Sequence, residues 1–193
     1  KLLDRICLVQ GVEYVGYVFG MFGDDRRFLV WDIYNEVTNV SMPSLNLSGD
    51  DLREAEAQSE RDREAQTVAA TELAIAAFGW ARTVAPSQPL TAGIYMKNDD
   101  LNPQLIELSD VVTFHHYGSL EALERLISKL QKYDRPILCT EYLNRRGGSL
   151  LQTHMPVFKR EKIGGFHWDL VDVNTQLTFP LSDEPGDSAA ANG

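Results

Sequence analysis

The sequence WDIYNEV, residues 31–37, ends an apolar stretch in an adjacent amide and carboxylate, Asn35 and Glu36. The longer segment RFLVWDIYNEV, residues 27–37, is apolar enough to predict a buried strand. A single carboxylate at a strand end is usually only solvated. A chemical role for Glu36 therefore requires a second carboxylate at the end of another strand.

Four further apolar segments each predict a strand, and helical spacing of apolar residues predicts helices around them. The predicted strands are residues 90–95, 110–117, 136–142 and 164–171. The predicted helices are residues 1–22, closed by Gly23, then 69–84, about 103–108, 120–130 and 149–161. Residues 38–50 are predicted to form a long loop, and the charged segment 50–64 either a solvated helical face or a loop.

Strands that alternate with helices predict an α/β protein with a parallel sheet. The strands are apolar almost throughout, as expected when both faces of a sheet are covered. An open doubly wound sheet and part of a (β/α)8 barrel both fit this pattern. Four of the strands end in unusual polar residues: Asn35 and Glu36, His115 and Tyr117, Glu141, and Trp168. No Gly-rich phosphate turn follows any of the strands. Many strands contributing polar residues at the same end favour the barrel.

Composition limits the function. The 193-residue chain is 44% hydrophobic and 24% charged, which is typical of a globular protein. Its formal net charge of −10 argues against nucleic acid or anionic lipid as a partner, because both need basic surface. A neutral substrate is favoured. Cys7 and Cys139 make no disulfide framework, and Cys139 is expected to be a small core residue.

Glu36 and Glu141 both end strands, and strand ends converge on one mouth of a barrel. Two carboxylates there can divide the work on a glycosidic bond, one as acid and one as nucleophile. A retaining mechanism needs them about 5–5.5 Å apart, and an inverting mechanism roughly 6.5–9.5 Å. The acid must hold its proton near neutral pH while the nucleophile stays ionised.

The segments WDIYNEV, VVTFHHYG, LCTEYLNR and GGFHWDL resemble strands four, six, seven and eight of a clan of retaining glycoside hydrolases. This clan has a (β/α)8 barrel with two catalytic glutamates, and the segments look most like its cellulase-like and xylanase-like members, similar to glycoside hydrolase family 5. The match covers about residues 20–172. It implies hydrolysis of a β-linked glucan or xylan without a cofactor, and a bacterial extracellular or periplasmic location.

The resemblance also implies a role for each candidate residue. Glu36 is expected to be the acid/base, Glu141 the nucleophile, and Asn35 a hydrogen-bonding partner of the sugar 2-hydroxyl. Tyr117 is expected to hold the nucleophile. The remaining two candidates would line the sugar subsite: His115 as a wall and Trp168 as the stacking floor.

Each role has a simpler alternative. Asn35 can cap the turn after its strand, and Tyr117 and Trp168 can be core residues, because aromatic burial needs no ligand. His116 is expected to be a hydrogen-bonded core histidine, since adjacent strand residues point to opposite faces. For the same reason the FHH sequence is not expected to bind zinc, and no metal site is predicted.

Two departures from the clan are evident. Val37 stands where the clan usually has proline. Only about five strands are found, corresponding to strands four to eight, whereas a full barrel takes about 250 residues. We therefore expect a partial (β/α) barrel over residues 1–180, with a disordered tail over 181–193. The alternative function is a truncated, catalytically incompetent fragment that binds sugar or only self-assembles.

The two end strands of such a fragment, RFLVWDIY and GGFHWDLV, are apolar. Exposed apolar edges recruit other chains, so a homodimer is expected. A two-fold axis along the barrel would pair the last strand of one copy with the first of the other. A perpendicular axis would pair like edges antiparallel.

Overall fold

The structure is a computed structural model that describes residues 2–39, 49–94, 101–145 and 147–168. The chain divides into two compact units, Lys1–Asp110 and Val111–Gly193. The expected tail, residues 181–193, lies outside the described residues, and a single catalytic domain over residues 1–180 stays a prediction.

The first unit alternates long helices with short strands. Its elements are α1 (Leu2–Phe22), β1 (Trp31–Asp32), α2 (Gly49–Val84), β2 (Leu90–Thr91) and α3 (Asn102–Leu108). The predicted helix over residues 1–22 is confirmed, with Gly23 just beyond its end. Helix α1 packs against α2 at Gly11, where an added Cβ would lie 2.8 Å from the Trp80 ring. A glycine at this position allows the two helices to approach.

Helix α2 is longer than predicted, because it runs unbroken from Gly49 to Val84. The predicted loop over residues 38–50 is therefore wrong at its last two residues, and residues 40–48 lie outside the described residues. Polar side chains pair along the exposed part of the helix, with Gln58 donating to Asp62 over 2.8 Å. Such pairs one turn apart support a solvated helix. Pro86 follows its end as predicted.

Strand β1 is much shorter than the predicted segment 27–37 and pairs in parallel with β2, Trp31 opposite Leu90. The chain turns immediately after it, because Asp32 Oδ1 accepts the N–H of Tyr34 over 3.3 Å. A short acidic side chain that binds the backbone two residues on favours a turn over a continued strand. The Asp32 side chain thus ends the strand, although the apolar pattern alone predicts that the strand continues.

The second unit holds β3 (Val112–His116), α4 (Leu120–Leu130), β4 (Ile137–Tyr142), α5 (Leu151–Glu161) and β5 (Gly164–His167). The three strands form a parallel sheet in the order β3-β4-β5. These elements confirm the predicted strands and helices to within a few residues. The part of the last predicted strand beyond residue 168 lies outside the described residues.

The protein is therefore an α/β protein with parallel strands, as predicted, and the described residues of each unit form one small parallel sheet. Strand β3 is buried throughout, with Phe114 fully buried. Cys139 of β4 is a buried free thiol, and burial raises its pKa to about 12. Both match the expectation of core residues.

Strand β5 is exposed along its whole length, which contradicts the expectation that every strand is covered on both faces. It lies at the edge of its sheet, with β4 on one side. Phe166 of β5 is 51% exposed. Among the described helices, none has the length and apolar character needed to cross a membrane.

Candidate active site

Asn35 and Glu36 lie in the turn that follows β1. Asn35 is exposed and Glu36 is partly buried, with a left-handed backbone at φ +46°. The Glu36 N–H donates to Gly93 O over 3.1 Å, which ties this turn to the chain after β2. Asp32 Oδ1 strengthens the tie by accepting the Gly93 N–H over 3.2 Å. The ends of two neighbouring strands thus fix the backbone of Glu36.

The Glu36 carboxylate has a partner three residues further along the chain. Asn39 Nδ2 donates to Glu36 Oε2 over 2.5 Å, and the Asn39 N–H donates to Glu36 O over 2.8 Å. Val37 lies between them and is 4% exposed. The glycoside hydrolase clan that the sequence resembles usually has proline at this position. In this chain, packing of the buried Val37 side chain fixes the backbone there instead.

Two side chains lie against one carboxylate oxygen of Glu141. The Tyr117 hydroxyl donates to Glu141 Oε2 over 2.5 Å, and His115 Nδ1 lies 3.3 Å from the same oxygen. His115 is 4% exposed and the Glu141 side chain 14%. The structure thus brings together the three candidate residues that end β3 and β4.

A bulge in β4 determines where Glu141 points. Phe114 of β3 is opposite Cys139, whereas the next residue, His115, is opposite Glu141, so Thr140 is extra. The register with β5 shifts at the same place. Since strand residues alternate between the two faces, one extra residue reverses the face of every residue after it. The bulge lets Glu141 lie on the same face as His115.

His116 points the other way, into the layer between sheet and helix. Its Nε2 lies 3.0 Å from Ser119 O, and its ring stacks on that of His154, with centroids 5.5 Å apart. Burial lowers the pKa of both rings, and proximity to His116 lowers that of His154 further. His116 is a hydrogen-bonded core residue, as expected from its position.

Trp168 follows β5 and is 42% exposed. Its N–H donates to Tyr142 O over 2.8 Å, which extends the pairing of β5 with β4 by one residue. At this exposure Trp168 is not a core residue of the unit. A ring held at a strand end and open to solvent remains available as a stacking surface.

Glu36 and Glu141 belong to different units. Each is fixed within its own unit by neighbouring strand ends, and the separation of their carboxyl groups stays a prediction. The same holds for the catalytic roles of the six candidate residues.

A cavity of about 400 Å³ lies in the second unit, and none of the six candidate residues lines it. It is lined by residues that lie before or at the start of β4 and by residues that lie before β5: Gln131, Asp134, Arg135, Pro136, Ile137, Glu161, Lys162 and Ile163. The cavity thus opens at the amino ends of the strands, whereas Glu141 and His115 lie near the carboxyl ends. Catalytic residues of barrel enzymes lie at the carboxyl ends, so this cavity is not the candidate site.

Asp32, Asn39 and the bulge at Thr140 did not follow from the sequence. Asp32 carries a recognisable signal, because an aspartate two residues before a turn residue often binds its N–H. Asn39 lies in a stretch of Ser, Asn and Pro that offers many such residues. The bulge leaves no mark in the apolar pattern of residues 136–142.

No protein-family model matches the chain, and no curated protein matches its sequence. Several solved structures do match. A β-glucuronidase from Ruminococcus gnavus aligns with a TM-score of 0.57 at 16% identity, covering 91% of this chain and 31% of that one. A β-D-glucuronidase from Dictyoglomus thermophilum aligns with a TM-score of 0.57 at 16% identity, covering 88% of this chain and 30% of that one.

These likenesses show the fold. The chain spans about a third of the length of these structures, 31% and 30%. Both of these structures carry the name β-glucuronidase. They lend no particular weight to a cellulase or xylanase.

Proposed function

We propose that this chain is a partial (β/α) barrel, corresponding to strands four to eight, of a retaining β-glycoside hydrolase. The observation that supports the proposal is the orientation of the Glu141 carboxylate. Its Oε2 accepts a hydrogen bond from the Tyr117 hydroxyl at 2.5 Å and lies 3.3 Å from His115 Nδ1. A hydrogen-bonded carboxylate at a strand end is oriented for attack, as a covalent nucleophile must be.

In the proposed reaction Glu141 attacks the anomeric carbon while Glu36 gives its proton to the departing glycosidic oxygen. The first product leaves, and the sugar remains bound to Glu141 as an ester. Glu36, now ionised, takes a proton from water, and the resulting hydroxide displaces Glu141 from the anomeric carbon. The sugar leaves with its original configuration, and both carboxyl groups return to their starting states.

The remaining candidates bind the sugar. Asn35 adjoins Glu36 and is exposed, so its amide is available to the 2-hydroxyl of the sugar. Trp168 offers an exposed ring face, and sugar rings stack on such faces through their C–H groups. His115 lines the wall beside Glu141 while also holding its oxygen.

A neutral substrate, such as a β-linked glucan or xylan, fits this chain better than a charged one. The net charge of −10 repels an anionic sugar over the whole surface. The structural neighbours are β-glucuronidases, so an anionic uronide is the competing substrate class. The two substrate classes can be compared with an aryl β-glucoside, an aryl β-xyloside and an aryl β-glucuronide that share one leaving group. We expect a higher kcat/KM on a neutral sugar than on the glucuronide.

Trapping with a 2-deoxy-2-fluoro glycoside of an activated leaving group tests the mechanism, because the glycosyl-enzyme then accumulates. Mass spectrometry should place the added sugar on Glu141. Glu141→Ala should abolish both turnover and labelling. Glu124→Ala is the matched control, because it removes an exposed carboxylate paired with Arg160 and should change neither.

Three outcomes would contradict the proposal. Labelling of a different carboxylate would remove Glu141 from its role. Sugar binding without turnover would favour the alternative, an incompetent fragment that binds carbohydrate. Absence of both binding and turnover would leave self-assembly as the function of this part of the chain.

A further inference from the structure

The turn after β1 contains a contact that its backbone does not require. The Asn39 N–H already donates to Glu36 O over 2.8 Å, which closes the four-residue turn by itself. The Glu36 N–H is held by Gly93 O over 3.1 Å. The additional bond from Asn39 Nδ2 to Glu36 Oε2, at 2.5 Å, therefore acts on the carboxylate rather than on the turn.

We propose that Asn39 is a positioning residue that orients the Glu36 carboxyl group and remains hydrogen-bonded to it in both of its protonation states. The inference rests on the proposed function of Glu36 as acid/base. A glutamate side chain has three rotatable bonds, and in a partly exposed position it samples many rotamers. A short contact to a side chain on the same turn reduces that freedom before the substrate binds.

An amide suits this position because it carries both kinds of hydrogen-bonding group. The Asn39 NH₂ donates to the ionised carboxylate, and after a half-turn of the amide its carbonyl oxygen accepts from the protonated acid. A retaining cycle uses Glu36 once as acid and once as base, so its partner must serve both forms. A lysine or an aspartate would serve only one of them.

The chain offers a matched pair elsewhere in the same unit. Gln58 Nε2 donates to Asp62 Oδ1 over 2.8 Å on the exposed face of α2. It is the same chemical contact, a side-chain amide on a carboxylate within one turn of chain. Gln58→Ala thus reports the effect of losing such a contact away from the candidate site.

The kinetic test compares kcat/KM for phenyl and 2,4-dinitrophenyl β-glycosides of the sugar that the wild-type protein turns over. Phenol is a poor leaving group that needs the acid, whereas dinitrophenol needs little help. Asn39→Ala and the isosteric Asn39→Asp, which lacks the N–H donor, should lose about tenfold on the phenyl substrate and about twofold or less on the other. Gln58→Ala should leave both values unchanged.

A second measurement needs no activity. Hydrogen-bond donation to a carboxylate shifts a side-chain amide proton downfield in NMR spectra. The shifted Asn39 Nδ2 proton should revert in Glu36→Ala, and that of Gln58 should revert in Asp62→Ala only.

Three outcomes would overturn the inference. If the chemical shift of the Asn39 amide proton is unchanged in Glu36→Ala, the contact is absent in solution. Equal loss on both substrates in Asn39→Ala, in an active protein, shows a structural role and leaves the proposed function standing. A wild-type protein without turnover on any aryl glycoside, but with the expected amide shift, refutes the proposed function and with it the positioning role.

Discussion

Tyr117 and Glu141 join the ends of two neighbouring parallel strands, β3 and β4, through one hydrogen bond of 2.5 Å from hydroxyl to carboxylate. His115, two residues before Tyr117, reaches the same oxygen at 3.3 Å. Because residues two apart on a strand share a face, the short segment His115–Tyr117 supplies both contacts. The orientation of Glu141 thus depends on strand register more than on loop conformation.

Tyr117→Phe tests this relationship, because it removes the hydroxyl and keeps the ring. We expect kcat to fall by about tenfold to a hundredfold, since a displaced nucleophile loses its near-attack geometry. The free energy of unfolding should change by only about 1 kcal/mol, the usual value for one hydrogen bond. Tyr14→Phe is the control, because Tyr14 is 71% exposed. Unchanged kcat in Tyr117→Phe would remove the hydroxyl from the mechanism.

The two glutamates should fail in different ways. Glu141→Ala should lose turnover of every substrate, and added azide should restore a product of inverted configuration, because azide enters the space of the missing nucleophile. Glu36→Ala should spare kcat/KM on substrates with good leaving groups, because these depart without a proton. Kinetics on phenyl and dinitrophenyl glycosides, with and without azide, measure both effects. Equal loss on the two substrates in Glu36→Ala would contradict its role as acid/base.

The strands and helices of the second unit followed from the sequence because each has a consistent apolar period and clear ends. Ser119, for example, caps α4 by accepting the N–H of Ala122, and its position before the apolar spacing signals the helix start. Strand β1 was overestimated, because Asp32 turns the chain within an apolar run. The apolar pattern indicates which residues are buried. It does not reveal the turn after β1, which depends on one side-chain oxygen of Asp32.

A contact between Tyr117 and Glu141 was expected from the sequence, but the backbone feature that allows it was not. Strand alternation placed His115 and Tyr117 on one face, and the structure shows both beside Glu141. The extra residue Thr140 was not predictable, since an apolar strand of this length reads the same with or without a bulge. The bulge decides which face Glu141 occupies, so the site depends on a feature that only register reveals.

Acid should destabilise the second unit through the stacked pair His116 and His154. Burial lowers the pKa of both rings from the ordinary value of 6.5. The folded state therefore favours the neutral rings and binds fewer protons than the unfolded state in this range. The stabilising contribution is fully present above about pH 6.5 and is lost as the pH falls below it toward the folded-state values.

His154→Phe should make the free energy of unfolding fall less steeply below pH 6.5. Phenylalanine keeps an aromatic ring against Tyr142 and Phe158 but takes up no proton. Urea unfolding at several pH values between about 5 and 7.5 measures the slope. Met155→Ala is the control, because it changes an exposed side chain of the same helix that takes up no proton, and it should keep the wild-type slope. An identical slope in His154→Phe would show that this pair does not govern acid stability.

The exposed edge of β5 leads to a prediction about assembly. On its described residues, β5 is paired with β4 on one side and with no strand on the other. Phe166 is 51% exposed, and Met155 of α5 is 54% exposed. Unpaired strand edges with apolar side chains recruit further chains. We propose that the protein forms a homodimer through this edge, with an interface on the order of 2,000 Å².

Light scattering in dilute solution should give twice the mass of one chain. Phe166→Glu should yield the monomer, because it places a charge in an interface that excludes water. Val68→Glu is the matched control: Val68 is 58% exposed on helix α2 rather than on a strand edge, and its variant should remain dimeric. A wild-type protein that is monomeric at about 10 μM, a concentration at which an interface of this size holds two chains together, would show that the β5 edge is covered from within the chain.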